Sequence, residues 1–325
     1  MNRRTALRIL VWSLAALASR AGAQPSGRLP VVGLLITHPP RDSLVVTLLR
    51  DGLRKYGYVD GRNVKLEVRT ALGQLDRVPG LAQELVRLPA DVIVVVNEIA
   101  LRAVTQATSA IPIVLVGYIN EPVAGGWIES YRRPGGNLTG VFSIDLSLGA
   151  KRLEILKETL PSISRVAVLW DPAFGGQELS DIQKAAGSLG LQVVAIEVSR
   201  ADDLEVALEK IKQVRADAVL LTWSPAFWMQ RDHVAVLFRE AALPTISNEL
   251  LITMAGGLLS YGSDHAYNWE RAAYFIDRLL QGASASELPI EQALRLTFAV
   301  NLKAAKALGI IIPQSILLRA DQVIR

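Results

Sequence analysis

Short runs of aliphatic and β-branched residues alternate along this chain with longer segments in which apolar positions recur every three or four residues. The first pattern predicts strands buried on both faces and the second amphipathic helices, so their alternation predicts βαβ units and mostly parallel sheets. In the first half, strands are predicted over 31–36, 64–69, 91–96 and 113–116, and helices over 43–56, 75–87 and 98–108. The first helix should stop at Gly57, a residue type common just past helix ends. Arg133-Pro134-Gly135-Gly136-Asn137 is the strongest breaker cluster in the chain, and a first domain crossing is expected just after it, near Phe142. The alternation then restarts, with helices predicted over 148–159, 177–189, 202–214, 227–241 and 267–280 and strands over 166–170, 193–198, 218–222, 244–247 and 257–261. Two series of similar size predict an α/β fold of two doubly wound, Rossmann-like lobes with a cleft between them.

Composition supports a large buried core: the 325 residues are 50% hydrophobic and 20% charged. The formal net charge of +4 arises wholly from Arg3, Arg4, Arg8 and Arg20, which lie in a 23-residue start that holds no Asp or Glu. The remaining body is neutral, which gives no argument for a nucleic-acid partner. That start reads as a secretory signal peptide over residues 1–23, with a basic beginning, an apolar run from Ile9 to Ala18, and Ala21 and Ala23 in an A-x-A arrangement. The apolar run is about half the roughly 20 residues a membrane-spanning helix needs. Arg3-Arg4 suits twin-arginine export as well as the general positive charge of any leader. The chain contains no cysteine, which excludes disulfides, thiolate metal sites, cysteine nucleophiles and a lipid-bearing N-terminal Cys. The mature protein, beginning at Gln24, is therefore expected to be soluble in the periplasm.

Motifs for catalysis are missing. No G-x-G-x-x-G follows a strand, and neither a phosphate-cradling G-x-x-x-x-G-K-[ST] loop nor a G-x-S-x-G elbow occurs. His38, His233 and His265 are scattered and form no H-E-x-x-H pair, so neither a metal nor any other cofactor is expected. The predicted strand ends instead gather groups suited to recognition. They are Thr37-His38, Asn97-Glu98, Tyr118 with Glu121 beyond it, Asp171, Thr222-Trp223, Asn248-Glu249, and Tyr261 with Asp264. Ligands of open parallel sheets bind at such ends, between an apolar wall and a few placed polar groups. Glu98, Glu121 and Asp264 are candidates for holding an ammonium group, while helix N-termini suit a carboxylate. Glu98, Asn248 and Asp264 fit equally well as helix caps or first-turn acids. Trp223, Phe227 and Trp228 either stack on a planar ligand or pack between helix and sheet.

Several stretches resemble one family. Asp51-Gly52-Leu53 and Tyr56 through Val64, Ala107-Thr108 with Ile111-Pro112-Ile113-Val114, Arg133 through Gly140, and Gly256 through Gly262 are similar to bacterial ABC-transporter substrate-binding proteins of the group with tryptophan- and tyrosine-binding members. Leu288 through Gln292, Asn301 through Gly309 and Arg319 through Ile324 look like that family's closing segments. The resemblance covers essentially the whole mature chain. It implies a type I periplasmic-binding-protein fold in which the chain crosses between lobes three times, with lobes over 28–142 plus 264–288 and 143–263 plus 289–325. It also implies hinged closure on a small-molecule solute and, as partners, an ABC permease and its ATPase in the membrane, with a monomer expected of a diffusing carrier. Glu121-Pro122-Val123 stands where relatives commonly carry Asp-Pro-Val, and the segment 222–228 is unusually aromatic, so ligand identity does not carry over.

The leading expectation is solute capture for an ABC importer, the solute being an amino acid with an aromatic or branched side chain. A sensor subunit for a membrane receptor, or an exported enzyme using Asp171 or Glu249 as acid or base, are the alternatives.

Overall fold

The structure is a computed structural model that describes residues 28–37, 44–119, 121–143, 148–200 and 202–325. The segment read as a signal peptide, and His38, lie outside the described residues.

Five strands of the first half, β1 (Val31–Ile36), β2 (Lys65–Thr70), β3 (Val92–Asn97), β4 (Ile113–Tyr118) and β5 (Leu138–Ser143), build one sheet. A later strand, β11 (Ile290–Gln292), completes it in the order β11-β5-β4-β3-β1-β2. All its pairings are parallel. The sequences VVGLLI of β1 and VIVVVN of β3 are apolar at consecutive positions because both faces are covered. Helices α1 (Leu44–Lys55) and α10 (His265–Leu280) supply Leu49, Leu53, Trp269 and Phe275 to the core on one face. Helices α2 (Val78–Arg87) and α3 (Glu98–Ala107) supply Leu81, Leu85, Leu101 and Val104 to the other.

The second sheet contains β6 (Arg165–Trp170), β7 (Gln192–Glu197), β8 (Ala218–Leu221), β9 (Thr245–Ser247), β10 (Leu259–Ser263), β12 (Leu296–Asn301) and β13 (Gln322–Ile324). Their order is β13-β12-β10-β9-β8-β6-β7, parallel except where β10 meets β12. One face is covered by α4 (Gly149–Thr159), α5 (Gly176–Ser188), α11 (Leu302–Ala307) and α12 (Gln314–Arg319). The other is covered by α6 (Asp203–Gln213) and α8 (Arg231–Glu240), joined by Phe227 of α7 (Pro225–Met229) and Ile252 of α9 (Leu250–Ala255). Two doubly wound α/β lobes thus share one chain.

Each lobe uses the same device to hold its first strand. Asp91, just before β3, accepts the Val31 N–H at 2.7 Å, and Asp217, just before β8, accepts the N–H groups of Ser164 and Arg165, both at 2.8 Å. Burial works against the Asp217 charge, but these hydrogen bonds and the nearby Arg165 outweigh it and hold the carboxyl below its usual range.

Four expectations need correction. The helix predicted over 227–241 is two helices, because Ser224 accepts the Ala226 N–H as an N-cap with Pro225 in the first turn, and the backbone breaks at Gln230. Helix α9 was hidden in the apolar run LLITMA, which carries no helical period of polar residues. Strand β5 begins directly after the breaker cluster, in the segment where only a crossing is expected. The boundary at 288–289 falls too early: Ile290, Glu291 and Gln292 pair with Gly140, Val141 and Phe142 in the first sheet. Too short to signal itself, β11 is held by the edge of β5, and the chain crosses to β12 only after it.

Candidate functional site

Both sheets point the carboxyl ends of their strands at a common cleft. A cavity of about 420 Å³ lies there, lined from the first lobe by Thr37, Leu48, Asn97 and Gly117 and from the second by Trp223, Trp228, Glu249 and Leu251. Asp264, His265 and Trp269, at the start of α10, close it along the connection between lobes. An adjoining cavity of about 450 Å³ includes Leu75, Glu98, Arg102 and Phe174. Asn97 and Trp223, one from each lobe, line both.

The polar groups on this wall are held by the strand-to-helix turns that present them. Asn97, buried at the end of β3, accepts the Ala100 N–H at 3.0 Å as the N-cap of α3 and donates its amide to Thr37 Oγ1 at 2.8 Å. Glu98 follows in the first turn and pairs with Arg102 at 2.8 Å. Asp264 caps α10 by accepting the Tyr267 N–H at 3.0 Å, and its other oxygen lies 3.0 Å from Arg295 Nε. Glu249 precedes α9 but does not cap it; its buried carboxylate faces His265 Nε2, with the two oxygens at 3.2 and 3.0 Å. The Trp223 ring stands edge-on to Phe174, with centroids 4.9 Å apart.

Behind Trp223 lies a charge pair that nothing in the sequence pattern signals. Arg152 of α4 and Glu178 of α5 form an ion pair in which both side chains are 0% exposed. Glu178 Oε2 also accepts the Trp223 N–H at 3.3 Å, and Arg152 donates to the Tyr261 carbonyl at 2.9 Å. A wall residue and the strand leading to α10 are thereby tied to one buried pair.

Of the residues expected at the site, Thr37, Asn97, Glu98, Trp223, Glu249 and Asp264 line one or both cavities. Others are placed elsewhere. Asp171 is buried and accepts from the Ser224 hydroxyl and the Ala173 N–H, both at 3.0 Å, which braces the turn beneath Phe174. Thr222 is buried and donates to the Leu169 carbonyl. Asn248 is buried beside Glu249 and lines neither cavity. The Tyr261 ring packs edge-on to Phe298 in the core of the second lobe, because β10 turns that position inward. Glu121 is exposed and accepts the Ala124 N–H in its own turn. Tyr118 ends β4 opposite Asn97 and Ser143. Sequence reasoning missed His265, Leu48, Leu251 and Trp269, whose helical or scattered positions resemble those of core residues. Among the described residues no group of three His, Cys, Asp or Glu is placed to hold a metal ion, and no helix is long and apolar enough to cross a membrane.

The sequence pattern of the family described as ABC transporter substrate binding protein matches residues 31–324. The chain belongs to this family. Membership as a substrate-binding protein implies a small-molecule solute and a membrane ABC transporter as partners. One relative is the Tyrosine-binding protein of Clostridioides difficile (strain R20291), 23% identical over 282 residues, or 85% of this chain and 79% of that one. An ABC domain from Streptococcus pneumoniae solved in complex with L-Trp is 22% identical with a TM-score of 0.79, covering 91% of this chain and 100% of the other. A conserved domain protein from Vibrio cholerae has the same TM-score of 0.79 at 23% identity, again over 91% of this chain and 100% of its own. The substrate-binding protein therefore shares the two-lobed, type I periplasmic-binding-protein fold of these structures.

Proposed function

We propose that the chain is the extracytoplasmic solute-binding component of an ABC importer, which captures a small solute of aromatic amino-acid type and closes on it by a hinge. The observation that carries this reading is the 420 Å³ cavity whose apolar and aromatic wall is drawn from both lobes. A wall divided in this way couples ligand contact to the distance between lobes, so a bound solute favours the closed arrangement. Its volume falls in the range of small-ligand sites. The lobes comprise 28–142 with 264–292, and 143–263 with 293–325, and the three connections between them form the hinge. Export with cleavage near Ala23 delivers a monomeric carrier to the periplasm. One relative is named a tyrosine-binding protein and a similar ABC domain was solved in complex with L-Trp, which supports capture without turnover.

The test is a thermal-shift screen of protein beginning at Gln24, refolded to remove carried-over solute, against amino acids, aromatic acids, nucleobases and small sugars. A ligand that binds only the native state raises the melting temperature by mass action. An aromatic amino acid should raise it and reduce the radius of gyration in X-ray scattering. Consumption of the compound during incubation would refute the carrier reading, and binding without compaction would refute the hinge.

A further inference from the structure

The cleft contains a choice among carboxylates that the fold has already made. Glu98 is paired with Arg102 at 2.8 Å. Asp264 spends one oxygen on the Tyr267 N–H and the other beside Arg295. Glu121 is exposed and holds its own turn through Ala124. Glu249 differs from all three. Its side chain is 3% exposed, it lines the 420 Å³ cavity, and its carboxylate faces only an imidazole among the described side chains.

A carboxylate removed from water is costly unless a hydrogen-bonded cation accompanies it. The described lining of the 420 Å³ cavity includes no Lys or Arg; its titratable groups are Glu249, Asp264 and His265. Asp264 already has its cation in Arg295. The rest of the wall is mostly apolar and aromatic, with Leu48, Trp228, Leu251 and Trp269 prominent beside the uncharged polar groups of Thr37, Asn97, Ser263, Thr297 and Gln322. The cleft is thus a largely apolar chamber with one buried acid that has an imidazole, and no Lys or Arg of the described lining, beside it. His265, with Nε2 close to both oxygens, fixes the direction of the carboxylate.

We propose that Glu249 anchors the protonated amine of a solute with an aromatic body, with His265 as its positioning residue. This rests on the carrier reading and deepens it, because it makes the amine, rather than the carboxylate of an amino acid, the group this chain selects. The charge-assisted hydrogen bond between ammonium and Glu249 forms in a site shielded from water, where such bonds are strongest.

Isothermal titration with three probes of one ring system tests it: L-tryptophan, tryptamine and indole-3-propionate. Both amines should bind, and indole-3-propionate, which lacks the amine, should bind at least about tenfold more weakly, the scale of one charge-assisted hydrogen bond. Glu249→Gln should weaken both amines by about 10–100-fold while leaving the indole-3-propionate affinity within about threefold of wild type. A merely structural role for Glu249 would weaken all three together. His265→Gln, which keeps a donor, should retain more amine affinity than His265→Ala. If wild-type protein binds indole-3-propionate as tightly as L-tryptophan, or if Glu249→Gln keeps its tryptophan affinity, the anchor is refuted while solute capture in the cleft stands. Should Glu249→Gln fail to fold, the wild-type ratio of tryptamine to indole-3-propionate decides alone. Silence of all three probes overturns the aromatic-amine assignment; compaction with another solute class would then still uphold the carrier.

Discussion

Gly117 and Gly262 stand at corresponding places in the two sheets, each on the strand beside the one that delivers an Asn-Glu pair to the cleft. A Cβ on Gly117 would lie 1.9 Å from the Val96 carbonyl oxygen, and one on Gly262 would lie 2.1 Å from the Asn248 carbonyl oxygen. Both contacts are with backbone, so neither is relieved by a side-chain rotation. In the first lobe the register between β3 and β4 also slips between Val95 and Asn97, where this close approach occurs. The two glycines let neighbouring strand ends converge, and Asn97-Glu98 and Asn248-Glu249 leave the sheets just there. Gly117→Ala and Gly262→Ala are each expected to cost about 1–3 kcal/mol of stability, as overpacking in a tight interior does. Urea denaturation measures this, and a loss below about 0.5 kcal/mol at both positions would show that the strand ends can separate freely.

The buried Arg152–Glu178 pair behind Trp223 predicts a non-additive response. Removing one partner, as in Arg152→Met or Glu178→Met, leaves an uncompensated charge inside the protein and should cost about 3–5 kcal/mol. Removing both should cost less than the sum of the two, because no charge is then left unpaired. A double-mutant cycle by chemical denaturation gives the coupling energy. Additive losses would mean that each side chain is stabilised by its other contacts, Glu178 by the Trp223 N–H and Arg152 by the Tyr261 carbonyl.

Trp223 is shared by both cavities and held edge-on by Phe174. Trp223→Ala should weaken the solute found in the thermal-shift screen by about 10–100-fold, the scale of a buried aromatic contact, while Trp223→Phe should retain part of the affinity. Three tryptophans, Trp223, Trp228 and Trp269, line the 420 Å³ cavity. Ligand binding should therefore change intrinsic fluorescence, and the change should shrink in Trp223→Phe. A fluorescence response unaltered by that substitution would place the ligand away from this wall.

At the far side of the first lobe, the Tyr58 hydroxyl donates to Asp277 of α10 at 3.1 Å. Burial, then the hydrogen bond to Asp277 and the negative charge of that carboxylate, push the Tyr58 hydroxyl up to about 12. Because the folded value lies above the unfolded one, near 10, the stabilisation is fully present below about pH 10. It is lost as pH rises toward 12, since the unfolded state gives up this proton first. The stability gap between wild type and Tyr58→Phe should therefore be constant below pH 10 and narrow between pH 10 and 12. Guanidinium denaturation across that range checks it; a gap that widens would reverse the sign of the argument.

The two-lobed architecture was legible along the chain because a strand buried on both faces has to be continuously apolar, as in β1 and β3, and an amphipathic helix has to repeat near 3.6. Those demands are local, and so they leave a periodic trace. Among the elements that escaped prediction, β11 and α9 are short and owe their form to neighbours: the edge of β5 in one case, the floor of the second sheet in the other. The same division holds at the cleft. That polar residues gather at strand ends could be read from order alone, and of those so expected Thr37, Asn97, Glu98, Trp223, Glu249 and Asp264 line the cavities. Which way a side chain turns there depends on pleat and packing between segments far apart in sequence. Tyr261 faces the core because Phe298 lies opposite, and Glu249 meets His265 only because α10 returns to the first lobe. The buried pairing of Arg152 with Glu178 is likewise a property of two packed helices. Sequence by itself determined the alternation of elements and the lobes they build. Tertiary structure decided which of the acids at the strand ends met an arginine and which met an imidazole, because ion pairing and burial are set by contacts that no single segment contains.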